Sequence, residues 1–190
     1  MLIKIHDKIP SVRAVLLVLL LSVHLLTSAQ GGGSREYQLK AVFLFNFSQF
    51  VDWPADSFAT EEAPLVIGIL GSNPFGGYLE SAITGEKVKG RPVVIRQYSN
   101  AADIKDCHIL FINITEDKKR EDIIAQLKGR GILTVSDAAD FSRQGGMIRF
   151  FTVENKIKFQ INPEASKEAN LVISSKLLRL ADIFNPKENN

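Results

Sequence analysis

The stretch from Leu65 to Gly77 sets the tightest limit on how this chain folds. Leu65 to Leu70 is a continuous apolar run, not an alternating one, which suits a strand buried on both faces as in a parallel sheet. Gly71 breaks the run. Asn73 and Pro74 follow in the order a helix start wants, an N-cap and then a proline at the first helical position. A helix is therefore predicted from Phe75 to about Ile83, with Gly85 ending it. Strand, glycine turn and helix make the first half of a βαβ unit. Such a turn can cradle an anion. Here Gly68, Gly71, Gly76 and Gly77 do not spell the dinucleotide fingerprint, and no Gly-Lys-Ser/Thr follows, so a plain strand-to-helix connection is the preferred reading.

The segments downstream repeat that alternation. Pro92 to Tyr98 and His108 to Asn113 read as strands, Asp117 to Lys128 as an amphipathic helix closed by Gly129, and Ile132 to Val135 as a fourth strand. Ser136 is placed to cap a short helix from Asp137 to Phe141. Met147 to Val153 and Lys156 to Ile161, joined by Glu154-Asn155, predict an antiparallel hairpin on the sheet edge. Asn162-Pro163 starts a short helix, and Ser174 to Ile183 is predicted as a last amphipathic one. The fold class is α/β, a mainly parallel sheet flanked by helices with an antiparallel edge hairpin near the C-terminus.

Ahead of that domain, Arg35 to Asp52 carries a wide apolar stripe on a helical period and ends at Trp53-Pro54. Phe43, Phe45, Phe47, Phe50 and Trp53 read first as core. Phe43, Phe47, Phe50 and Trp53 are also the candidates for a dimer or partner surface. Before this helix, Lys4, Lys8 and Arg13 precede an apolar Ala14 to Leu26, followed by Thr27-Ser28-Ala29. This is the pattern of a secretory signal over residues 1–29, its apolar run too short for the roughly 20 residues of a membrane span. Gln30 to Arg35 is expected to be a flexible leader, residues 36–185 a single domain, and residues 186–190 a tail.

Losing Lys4, Lys8, Arg13 and Asp7 with the signal leaves a formally neutral chain, which argues against nucleic acid as a partner. Cys107 is the one cysteine, so no internal disulfide is available, and its position at the start of an apolar strand favours a buried, inert thiol. His108 beside it cannot assemble a zinc site, and adjacent residues on a strand point to opposite faces, so the two make no nucleophile pair. Asp137 and Asp140 read as helix-start residues before they read as a catalytic pair. No catalytic constellation, metal site or cofactor motif is found.

Taken together, these stretches resemble the YfiR family of periplasmic proteins. The matching segments are Glu36 to Phe47 with Trp53-Pro54, Gly68 to Gly71 with Asn73 to Gly76, and Gly90-Arg91-Pro92. They continue through Cys107 to Ile112, Leu133 to Asp137, Gly145 to Ile148, Lys158 to Asn162 and Ile173 to Leu178. The resemblance implies a secreted α/β domain that works by binding. Its best-known members dimerise, hold down a membrane-bound diguanylate cyclase through its periplasmic sensor region, and are sequestered by an outer-membrane lipoprotein. The output is cyclic-di-GMP and hence biofilm. The best-studied member carries intramolecular disulfides; with Cys107 alone, redox control by disulfide making is not implied for this chain.

The leading expectation is thus a non-enzymatic periplasmic regulator that binds a membrane signalling protein. The alternative is a small-molecule sensory module, with ligand-binding candidates at Asn73, or at Arg149 and Asn162. An enzyme of unfamiliar chemistry ranks third.

Overall fold

The computed structural model describes residues 31–186, so the export signal read in residues 1–29 and nearly all of the expected tail lie outside the described residues. Residues from Glu36 onward form one compact unit. Helix α1 is Gly31–Phe50, and so begins inside the stretch expected to be a flexible leader. Strands β1 (Val51–Asp52) and β2 (Leu65–Gly71) follow, then α2 (Tyr78–Ile83), β3 (Lys87–Val88), β4 (Arg91–Tyr98) and β5 (Ile109–Asn113). Next come α3 (Asp117–Leu127), β6 (Leu133–Ser136), β7 (Ile148–Val153), β8 (Lys156–Ile161) and α4 (Pro163–Glu168). The chain closes with β9 (Val172–Ile173), α5 (Ser175–Leu178) and β10 (Asp182–Ile183).

Eight strands form one sheet in the order β10-β8-β7-β6-β5-β2-β4-β3. β2 lies parallel to both neighbours, Ile67 facing Ile95 on one side and Ile109 on the other. Its residues from Leu65 to Leu70 are all buried, as a doubly covered strand requires. The sheet is mixed, which corrects the mainly parallel expectation: β3–β4 and β7–β8 pair antiparallel. The β7–β8 turn places Glu154 and Asn155 at φ of 50° and 59°, the left-handed pair that a two-residue hairpin turn needs. That hairpin is not the edge. β10 pairs parallel with β8 and lies outside it.

β10 also accounts for the shortened last helix. The predicted helix over Ser174 to Ile183 is a single turn, capped by the Ser174 hydroxyl accepting from the Lys176 N–H. Beyond it the chain extends, and the Phe184 N–H reaches the Ile161 carbonyl at 2.8 Å. The open backbone groups of β8 outweigh the helical pattern.

α2 begins at Tyr78, not Phe75. Asn73 Oδ1 accepts from the Phe75 N–H at 2.8 Å in a side-chain turn, and Gly76 sits at φ of 55°, where a helix cannot pass. Phe75 is thereby driven into the core, 4.8 Å from the Phe111 ring. Ser136 caps no helix either: residues 137–141 hold no helix, and its hydroxyl donates to the Ile112 carbonyl at 2.7 Å.

The two faces of the sheet bury different helices. On one, Ala41, Leu44 and Phe47 of α1 and Leu79 of α2 pack on Ile67, Ile69, Phe111, Val135, Ile148 and Phe150. On the other, Ile123, Ile124 and Leu127 of α3 pack with Leu70, Leu110 and Ile112. A side chain at Gly68 would meet Cys107 Sγ and the Tyr98 ring at 2.7 Å, so this strand position admits only glycine. Cys107 is buried, its thiol donating to the Ile109 carbonyl, and burial pushes the thiol up to about 12. A thiol so held forms no nucleophile near neutral pH. Cys107→Ser should therefore match the parent in a thermal midpoint that does not move with added reductant. A reductant-dependent midpoint, or a covalent dimer on a non-reducing gel, would assign the thiol a redox role.

Candidate functional site

In this strand order the chain leaves β2 toward β4 on one side and β5 on the other, so the crevice at their C-terminal ends is a topological switch point where α/β proteins bind ligands. Here the ends of β2 and β5 are tied together, and a pocket of about 430 Å³ lies beside them between Leu70, Asn100, Ile114 and Lys119. Asn113 Nδ2 donates to the Ser72 carbonyl at 2.8 Å and to the Ser72 hydroxyl at 3.0 Å. Beside it, α1 is fastened to the end of β6. Tyr37 Oη and Lys40 Nζ both donate to Asp137 Oδ2 at 2.8 Å, and Lys40 also pairs with Glu36 at 2.6 Å. Burial, reinforced by the Asp137 carboxylate, holds the Tyr37 phenol well above its ordinary range. Lys40 is 2% exposed, and these two carboxylates are its ion-pair partners. Among the described residues no group of three His, Cys, Asp or Glu side chains is placed to hold a metal ion.

The three ligand candidates do not converge. Asn73 borders an open groove of about 730 Å³ between α2 and β4, with Glu80, Ile83, Glu86, Val93 and Gln97. Asn162 is a buried N-cap: its Oδ1 accepts from the Ala165 N–H and its Nδ2 donates to the Ser142 carbonyl, both at 3.2 Å. Arg149, on β7, donates to the Ala139 carbonyl, and its guanidinium lies 5.0 Å from the Phe151 ring. Strands β2, β5 and β6 separate β7 from the groove beside β4.

The aromatic residues of α1 face inward. Phe47 is fully buried, its ring 5.6 Å from Phe150 and 5.3 Å from Phe159. Phe43 packs on the same two rings. Phe50 and Trp53 are half-buried against the same core, and Trp53 Nε1 donates to the His108 carbonyl at 3.2 Å. What α1 presents outward is Leu39 and Val42, 47% and 45% exposed, flanked by Gln38 and Gln49. From Gln38 to Phe50 the only charged residue is the buried Lys40, so over that stretch the outer face carries no charge, with exposed Arg35 one turn before Leu39 at its end. A charge-free exposed helix face is what the centre of a protein interface looks like. Of the four aromatic candidates for a partner surface, Phe47 is buried and Phe43, Phe50 and Trp53 are half-buried; the absence of charge is what distinguishes the outer side.

Residues 37–182 match the family model described as YfiR/HmsC-like. The chain belongs to the YfiR/HmsC-like family. The matched span of this YfiR/HmsC-like protein runs from Tyr37, the anchor of α1, to Asp182, the first residue of β10. It therefore takes in the whole sheet except Ile183, together with the outer face of α1. No curated protein matches the chain. Among the described residues no helix is long and apolar enough to cross a membrane.

Proposed function

We propose that this YfiR/HmsC-like chain is a non-enzymatic periplasmic regulator, exported by a signal cleaved near Ala29. It binds the periplasmic sensor region of a membrane diguanylate cyclase and so controls cyclic-di-GMP and biofilm. The observation that carries the reading is the family match over residues 37–182. The uncharged outer face of α1, centred on Leu39 and Val42, supplies a physical means of binding. A homodimer, and an outer-membrane lipoprotein that sequesters it, complete the proposed circuit.

Both residues are exposed and glutamate is a good helix former, so Leu39→Glu with Val42→Glu leaves the far-ultraviolet circular dichroism unchanged. The double variant loses capture of the cyclase from detergent-solubilised membranes. In cells it raises cyclic-di-GMP to the level of a gene deletion. A cyclic-di-GMP level indifferent to the deletion would refute the regulatory reading. Light scattering at micromolar concentration tests the dimer separately, since a monomer that still represses removes only that part. The open groove beside Asn73 favours a second reading, a small-molecule sensory module. Native mass spectrometry of the protein purified from its own cells would find the bound molecule.

A further inference from the structure

His108 is the only histidine among the described residues, and both ring nitrogens are engaged. Nδ1 accepts from the Val66 N–H at 3.0 Å and so carries no proton. The proton is then on Nε2, which donates to the Ser57 carbonyl at 3.1 Å. The geometry holds imidazole as one neutral tautomer.

Ser57 belongs to the segment between β1 and β2, whose only regular structure is the single 3₁₀ turn Ala55–Ser57. Everything else that fastens this segment gathers at the same place. The Phe58 ring stacks on His108, with centroids 4.3 Å apart and planes 20° apart. The Arg91 guanidinium lies 3.9 Å from the Phe58 ring and donates to the Thr60 and Ala63 carbonyls at 2.8 and 2.9 Å. Trp53 meets the imidazole edge-on at 6.0 Å. A cavity of about 60 Å³ lies between them, bordered by Ser48, Trp53, Phe58, Leu65, Lys89 and Arg91.

We propose that residues 55–64 form a strap that neutral His108 holds shut over the N-terminal ends of β2 and β5, and that protonation of the imidazole releases it. An imidazolium is donor-only in every orientation. Its second N–H would face the Val66 N–H, leaving one buried donor opposite another. The new charge would also sit near Arg91 and Arg96, which disfavour it, with Asp106 the carboxylate that favours it. Lys89 is paired with Asp52, and the strap itself brings Asp56, Glu61 and Glu62. Burial first, and then the arginines against the Ser57 carbonyl, hold the His108 pKa below 6.5. The closed strap is thus fully favoured above 6.5, and that preference is lost as the pH falls through the depressed value. The interval between 6.5 and the carboxyl range, near 4 for reference groups, therefore reports on imidazole. Opening would uncover Trp53 and Leu65 at the foot of α1, a second apolar surface available only in acid.

Trp53 is the only tryptophan of the chain and gives the full-length protein its own probe. As the pH falls through that interval its emission should shift to the red, and limited proteolysis should cut within residues 55–64 several-fold faster, while far-ultraviolet ellipticity stays constant. His108→Asn keeps an acceptor for the Val66 N–H but cannot titrate, and should be flat across the interval. Arg91→Gln, which removes both a cation and two strap bonds, should move the transition to higher pH. The proposal fails if the parent shows no transition, if the transition persists unchanged in His108→Asn, or if it coincides with loss of ellipticity. Should His108→Asn not fold, an unmoved transition in Arg91→Gln would be equally fatal.

Discussion

Replacing Asp137 with alanine should destabilise the chain by about 3 kcal/mol, a fall in thermal midpoint of roughly 6–12 °C. Surface carboxylates seldom matter so much. This one is the partner of Lys40, whose side chain is 3% exposed and whose other ion pair, to Glu36 four residues earlier, is on its own helix. Without Asp137 the ammonium stays buried with half its compensation gone, and the hydroxyl of Tyr37 loses its acceptor as well. Lys40→Met should cost much less, because it removes the charge and keeps the stem, while Asp137 is open enough to take up water. The double variant should then lose less than the two single losses added together. Strict additivity in a denaturant series would mean that the two residues do not depend on each other.

Phe47→Ala is the larger core loss, about 3–5 kcal/mol, or roughly 6–20 °C in midpoint. The ring is fully buried among Phe43, Phe150 and Phe159. Val42→Ala, five residues earlier on the same helix but 45% exposed, should change the midpoint by little. Equal losses at the two positions would mean that the outer face of α1 is already covered in solution by another copy of the chain.

How much of this was readable beforehand follows from how local each cause is. The run of Leu65 to Leu70 announces a doubly covered strand because every one of its residues must be apolar. Asn162 before Pro163 announces a cap because the bond it makes is three residues away. By contrast, the run from Ser174 to Ile183 has a sound helical period, and only the open edge of β8, far back in the sequence, turns its end into a strand. Asn73-Pro74 has the residues of a helix start, but Gly76 and the burial of Phe75 postpone that start. The outer face of α1 was hidden for a different reason. Its stripe is wide because one side meets the sheet and the other is bare, and periodicity alone does not say which is which. The roles of Lys40 and His108 could not be read at all, since their partners, Asp137 and the Val66 N–H, are brought to them by the tertiary fold.

The contacts of α1 also impose an order on synthesis. Its rings pack on Phe150 and Phe159, and Val51 at its end pairs with Ile173, so the partners of its rings are made last. At about 5–20 residues per second, roughly a hundred residues separate the helix from its hairpin by some 5–20 s. Through that interval the most aromatic segment of the chain has β2, β5 and β6 to lie on but lacks the hairpin that buries its rings. It is the natural substrate for a holding chaperone, and a chain stalled before residue 150 should aggregate through residues 37–53 rather than through any strand.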